Sequence, residues 1–520
     1  MFLLFSGDGA VTRFLLVLEE GDQYTGPDMT THNNDDQPDT GSHADSWAVS
    51  SWKRFCRLVV RIFYRRFEVS SEASIPADSG LILCANHVNA LVDAVVMQAA
   101  TDRLVRPLAR SGLFSNPLLR PLLHLIGAVP VYRRQDPDSN TARNADSFSR
   151  CYELLAQDEC LIIFPEGQSH SDPHLHDLKT GAARIALGAI QANGRAPVVL
   201  PVGLMFTRKG RPRGDVLVQY GQPVVLDIPD GLNTHEAVEL LTKRIRQGLA
   251  AVTLNADSWQ DIDLASRVEK FFAFRHGRYR QKRLAQQFRA VQRLVDGQRL
   301  LLEHEPDRVR ALIRHLHMFE RLCNCCGIGD YHLALNYRPT LIALYILRTL
   351  FVLLIGFPVA LWGAVNSILP FQLTHHLSRL IAKGEDQYDT TRILLGMLLF
   401  GLFWSLQCTY VYYHFGSGWV LAYLASLLIS TPVALRMRSE YRYALGNLRV
   451  FFLFLRKQQL KEYLLLRRVE IETELATGAS LAATGPTAVL GTAAPGESGV
   501  PSRGVTSKII SAPISAPASV

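Results

Sequence analysis

Between residues 75 and 230, short runs of Val, Ile and Leu alternate with longer stretches in which apolar residues recur at helical spacing. The runs GLILCAN, AVPVY, CLIIFPEG, PVVLPVGLMF and DVLVQYGQPVVL are bounded by Gly or Pro and predict strands. DAVVMQAATDRLVRPLARSGLF, NADSFSRCYELLAQD and GAARIALGAIQANG predict the helices between them. Strands that are apolar throughout need cover on both faces. The expected architecture is therefore α/β, with a central mixed sheet flanked by helices, then a helical region and C-terminal membrane helices.

The flanks divide by the same criterion. Residues 1–50 combine two broken apolar patches with an acidic, turn-rich stretch, so a disordered or weakly interfacial N-terminus is expected. Residues 51–74 interleave arginines with large apolar side chains, the pattern of a basic amphipathic helix that lies on a membrane or packs on the domain at 75–234. Residues 235–338 read as basic helices. Within 339–438 stand three apolar runs, at 341–369, 393–415 and 419–435. The last two are separated only by GSG and predict a spanning hairpin. Basic segments on both sides of the runs require an even number of crossings, so the first run is expected to be re-entrant, bent at Gly356 and Pro358. Residues 439–474 predict a basic helix and 475–520 an unstructured tail rich in Ala, Gly, Pro and Ser.

Composition narrows the partners. A 520-residue chain with 48% hydrophobic residues suits a soluble part joined to a lipid-embedded one, and the net charge of +8 suits anionic lipids or phosphorylated substrates. Nucleic acid fits poorly with spanning helices directly downstream. The 8 cysteines are scattered and suit reduced thiols.

Candidate chemistry clusters at strand ends. His87 follows the first strand run and Asp93 lies six positions on, a base with an orienting carboxylate or simply a polar turn. Glu166 and Gly167 end another strand, followed by Ser169, His170 and, near a helix start, Lys179. Arg133 and Arg134 end a third, with the planar guanidinium geometry that matches phosphate oxygens.

Four segments, NHVNALVD, GAVPVYRR, FPEG and PVVLP, stand in the order and rough spacing of the glycerophospholipid acyltransferases, the PlsC-like group, which residues 75–230 resemble. The gap from His87 to Asp93 holds five residues where the family has four. Gln168, Ser169 and His170 replace the usual Thr-Arg-Ser, which removes a second phosphate-binding arginine. Both departures resemble the branch of fungal glycerol-3-phosphate and dihydroxyacetone-phosphate acyltransferases. The resemblance implies a membrane-bound enzyme that acylates a glycerol phosphate, glycerol-3-phosphate or its 1-acyl ester, in phospholipid synthesis. His87 would be the base and Asp93 its orienting partner. Arg133, Arg134, Glu166 and Gly167 would hold the phosphate, with Ser169, His170 and Lys179 added from their place on the same loop. The acyl donor would be acyl-CoA or acyl carrier protein, and neither cofactor nor metal is expected.

Three rival readings remain. Cys323, Cys325 and Cys326 near His315 and His317 have poor zinc spacing and suit packed or lipid-modified thiols. His170, Asp172, His174, His176 and Asp177 form a set that a metal hydrolase could use. A catalytically inactive lipid-binding or membrane-remodelling protein on the same scaffold is the alternative function, although such a protein has no need to keep both His87 and Asp93.

Overall fold

The computed structural model describes residues 47–484 apart from 73–74, 77, 118, 134–143, 208–213, 276–282, 330–331, 334–338 and 383. The described residues open with α1 (Trp47–Phe63), whose Cys56 and Val60 are buried while Phe55, Leu58 and Ile62 face outward. The helix expected over 51–74 stops there, and residues 66–71 form strand β1 (Arg66–Ser71). Phe67 and Val69 pack on the core and alternate with Arg66, Glu68 and Ser70, a period of two.

The chain continues through β2 (Leu81–Ala85), α2 (Ala90–Ala99), β3 (Val105–Arg110), α3 (Arg120–Leu125), β4 (Val129–Val131) and α4 (Asn144–Ala156). Then come β5 (Cys160–Ile163), α5 (Gly181–Asn193), β6 (Val198–Phe206), β7 (Asp215–Tyr220) and α6 (Thr234–Val252). The strands form one seven-stranded mixed sheet in the order β1-β7-β6-β2-β5-β3-β4. Every neighbouring pair is parallel except β6 with β7. Strand β3 lies inside a stretch expected to be helical. Its odd positions are buried and its even ones less so, the sheet's period rather than the helix's.

Strand β2 shows how the two faces are filled. Leu81, Leu83 and Ala85 join α1 and α2 in one apolar cluster, while Ile82 and Cys84 join α4, α5 and α6 in the other. All five are buried, and each large side chain contributes about 1.5–3 kcal/mol of transfer free energy. Helix α6 is tied down by a capping box between Asn233 and Glu236 and packs Leu241, Ile245 and Leu249 on the sheet. It therefore belongs with the sheet rather than with the helical region expected from 235 onward.

Beyond it lie α7 (Trp259–Arg275), α8 (Leu284–His304) and α9 (Pro306–Cys326). The apolar helices follow: α10 (Pro339–Ile381), α11 (Glu385–Phe415) and α12 (Ser417–Arg456), then α13 (Gln458–Thr484). Three segments, Ile346–Ile381, Glu385–Phe415 and Ser417–Met437, are long and apolar enough to cross a membrane. Helix α10 is helical without a break through Gly356, Pro358 and Pro370, where a break at Gly356 and Pro358 was expected; its first part packs on α12, with Gly356 beside Met437, and its last on α11, with Arg392 donating to His375. A proline leaves the carbonyl four residues earlier without its N–H. For Pro370 that carbonyl belongs to Asn366, and Gln407 of α11 donates to it at 3.0 Å. Gly363 lets the backbone at Ser430 of α12 come so close that a Cβ would stand 2.3 Å from the Ser430 oxygen. Helix α13 runs past the expected end at 474. It buries Leu464, Ile471 and Leu475 against Phe271 of α7 and Phe319 of α9.

Candidate active site

Strands β2 and β5 are adjacent and parallel, so the loops at their carboxyl ends emerge side by side. This is where open α/β sheets place ligands. Asn86 fastens the first loop, since its side chain exchanges hydrogen bonds with the backbone of Leu204 on β6 at 3.1 and 2.7 Å. His87 follows. Its Nδ1 lies 2.9 Å from Oδ2 of Asp93, which sits in the first turn of α2 and is fully buried. The same oxygen accepts the backbone N–H groups of Val88 and Asn89, each at 2.8 Å. A carboxylate only accepts, so Nδ1 carries the hydrogen and the Nε2 lone pair is the basic site. The ring is partly exposed and stacks on Phe164 with centroids 4.2 Å apart. The arrangement is an oriented base at the carboxyl end of the central strand.

The second loop begins at Glu166, which is buried. Its Oε1 accepts the His87 backbone N–H at 3.3 Å and its Oε2 pairs with His170 Nε2. The His170 N–H in turn donates to the His87 carbonyl at 3.1 Å. Glu166 and His170 thus brace one of these loops against the other, whereas the sequence suggested phosphate ligands. A buried carboxylate already engaged at both oxygens has nothing to offer a phosphate, and its charge repels one. Ser169 also turns away from that part, donating to Asp386 of α11.

Gly167 sits at φ +78°, a left-handed conformation that glycine adopts readily. Arg133 donates from Nη1 to the Gly167 carbonyl at 2.8 Å. Lys179 holds the loop's other side, its N–H on the Pro165 carbonyl at 2.6 Å and its stem 3.3 Å from where a Gly167 Cβ would be. Two cations therefore flank this turn beside His87. Arg134 lies outside the described residues.

His170, Asp172 and His176 offer ligand atoms within 4.8 Å of one another. The His170 and His176 rings are parallel to 2° and stacked at 3.6 Å, so their in-plane lone pairs run side by side rather than converging on an ion. His170 Nε2 is spent on Glu166 and its Nδ1 accepts the Asp172 N–H at 3.2 Å. The set does not fit a metal. Of the cysteines on α9, Cys323 is buried in the apolar cluster and Cys325 is exposed, so they face different ways.

Four residues near the site escaped the sequence reading: Tyr64, Asn89, Asp386 and Asp389. Tyr64 is buried at the end of α1's segment, and burial, with Asp389 and Asp93 nearby, pushes its hydroxyl well above the usual tyrosine range. The acidic residues opening α11 read most simply as complements of a helix dipole.

A family model described as Acyltransferase matches residues 66–205, the stretch from β1 to the end of β6 that carries both loops. Residues 66–205 are an acyltransferase domain. The chain is similar to two Saccharomyces cerevisiae proteins. Glycerol-3-phosphate O-acyltransferase 2 is 32% identical over 134 residues, which is 25% of this chain and 18% of that protein. Glycerol-3-phosphate O-acyltransferase 1 is 25% identical over 294 residues, 51% of this chain and 38% of that protein. An uncharacterized acyltransferase of Schizosaccharomyces pombe is 25% identical over 50% of this chain and 41% of its own length. The chain spans less than half the length of these relatives. Among solved structures, the 1-acyl-sn-glycerophosphate acyltransferase PlsC from Thermotoga maritima is 21% identical, covering 39% of this chain and 78% of that one, with a TM-score of 0.29.

Proposed function

We propose that the protein is a membrane-bound O-acyltransferase that moves a fatty acyl group from an acyl thioester to a hydroxyl of a glycerol phosphate. Glycerol-3-phosphate is the first candidate acceptor, as in the names of the yeast relatives, and its 1-acyl ester the second. His87 Nε2 removes the hydroxyl proton as the oxygen attacks the thioester carbonyl. The C–O bond forms, the C–S bond breaks, and the imidazolium returns the proton to the departing thiolate. Asp93 holds the tautomer and stabilises the imidazolium. Arg133 and Lys179 beside Gly167 hold the phosphate, and Arg134 is expected to join them. The donor is acyl-CoA or acyl carrier protein, and the chemistry calls for no further cofactor.

The observation that carries this reading is the 2.9 Å His87–Asp93 pair within an acyltransferase-family domain. The membrane part supports it. Helix α11 starts at the catalytic loops, and Val450 and Phe454 of α12 pack with Phe271 and Phe319. We read α11 and α12 as an out-and-back pair of crossings and α10 as re-entrant, an even number that keeps the basic segments on one side of the bilayer, which we assign to the cytoplasm. The outward apolar face and basic residues of α1 would rest on anionic lipid.

The test is an acceptor screen with purified full-length protein and a labelled acyl thioester, reading which phosphate ester is acylated. His87→Ala is expected to abolish transfer with thermal unfolding unchanged. Turnover at the wild-type rate in that variant would reject the mechanism.

A further inference from the structure

The two catalytic loops are joined to the membrane hairpin by side chains 217 and 300 residues apart in the chain. Asn89, two positions after His87, donates from Nδ2 to Asp389 Oδ2 at 3.0 Å. Ser169, in the second loop, donates to Asp386. Thr390 Oγ1 lies 3.5 Å from the Asn89 carbonyl, and Ile393 packs on the apolar cluster that includes Val88 and Val92. Asp386, Asp389, Thr390 and Ile393 stand at i, i+3, i+4 and i+7, so a single face of α11 covers both loops.

Asn89 occupies the N-cap of α2, where an asparagine ordinarily accepts an N–H from its own helix. It makes no such bond. Its amide reaches Asp389 instead, while its backbone N–H donates to Asp93 Oδ2, the oxygen that also holds His87 Nδ1. A series of hydrogen bonds thus runs from His87 through Asp93 and Asn89 to Asp389, and the last three residues are buried. Buried polar groups persist where they are paired, and this pairing fixes the loop that aims the base.

We propose that Asp389 is a positioning residue for His87, and that the first turns of α11 are a working part of the acyl-transfer centre. The base is then correctly aimed only when the hairpin is seated on the catalytic loops. The role in turnover rests on the acyl-transfer reading above; the positioning of the ring does not.

The experiment compares Asp389→Ala, Asp389→Asn and the exchange pair Asn89→Asp with Asp389→Asn, all in full-length protein in lipid nanodiscs. A misaimed base predicts that Asp389→Ala lowers kcat about 10- to 100-fold while both KM values stay within about twofold. Asp389→Asn keeps an acceptor for Asn89 and recovers most of kcat, and the exchange pair restores the bond with roles reversed. A second readout needs no turnover: carbethoxylation of His87 by diethyl pyrocarbonate, followed by mass spectrometry. Asp389→Ala is expected to slow it, because the Nε2 lone pair is less nucleophilic once Nδ1–H no longer donates to Asp93, and Asp389→Asn to leave it as in wild type. Wild-type kcat and wild-type His87 reactivity in Asp389→Ala would overturn the proposal, as would an Asp389→Asn variant as impaired as the alanine one. If alanine prevents folding, the single Asn variant and the exchange pair decide. A wild-type protein that acylates no glycerol phosphate rejects the functional reading, and the carbethoxylation rates still decide the part played by Asp389.

Discussion

Replacing Asp93 by Asn separates geometry from charge at the base. Asp93 Oδ2 accepts from His87 Nδ1 at 2.9 Å and from the N–H groups of Val88 and Asn89 at 2.8 Å, whereas Oδ1 has no hydrogen-bond partner among the described residues. The two buried backbone donors require an acceptor, so in Asp93→Asn the amide oxygen takes the Oδ2 place and the NH2 group takes the other. His87 then keeps its Nδ1–H tautomer, and only the charge is lost. A hydrogen bond to a charged group contributes about 1.5–3 kcal/mol and a neutral one about 0.5–1.5, so the developing imidazolium loses about 1–2 kcal/mol. That lowers kcat by about 5- to 30-fold. In the serine-protease triad the same exchange lowers kcat by about 10⁴-fold through the wrong tautomer. The assay is steady-state transfer from a labelled acyl thioester. A loss near that larger figure would refute the argument that the backbone donors pin the tautomer.

Gly167→Ala places a Cβ at φ +78° and 3.3 Å from Lys179 Cγ, a left-handed strain of about 1–2 kcal/mol. It should lower the melting temperature and raise KM for the phosphorylated acceptor, as read by thermal unfolding and steady-state kinetics. Burial pushes the Cys84 and Cys160 thiols up to about 12. Below that pH they stay protonated and unreactive, so iodoacetamide at mildly alkaline pH should label exposed Cys325 and spare both until the protein unfolds, by mass spectrometry. Gln407→Leu strands the Asn366 carbonyl that Pro370 leaves without its helical N–H. The loss should be about 1–3 kcal/mol, seen as earlier thermal unfolding in detergent.

The parts of this protein that could be read from its sequence are those set by neighbours along the chain. The α/β alternation was legible because β2, β5 and β6 are apolar over whole strands and β7 over Val216–Val218, and His87 and Asp93 were legible because one loop joins them. Strands β1 and β3 were absorbed into adjacent helices because Arg66, Arg106 and Arg110 mimic a polar helix face when the alternating period is short. The direction a side chain takes was not legible: Glu166, Ser169 and His170 sit on the expected loop but turn to His87, Asp386 and each other. The continuity of α10 was hidden for a related reason, since the group that answers Pro370 stands on another helix. Asp389 is the limiting case. Within α11 alone it is one more acid near a helix N-terminus, and only the fold sets it against the single asparagine whose backbone also holds Asp93. A residue whose chemistry depends on a partner three hundred positions away leaves no local pattern. The clue that did exist was negative: the first membrane-hairpin turn buries Asp389, a charge that an apolar helix retains only where another part of the protein answers it.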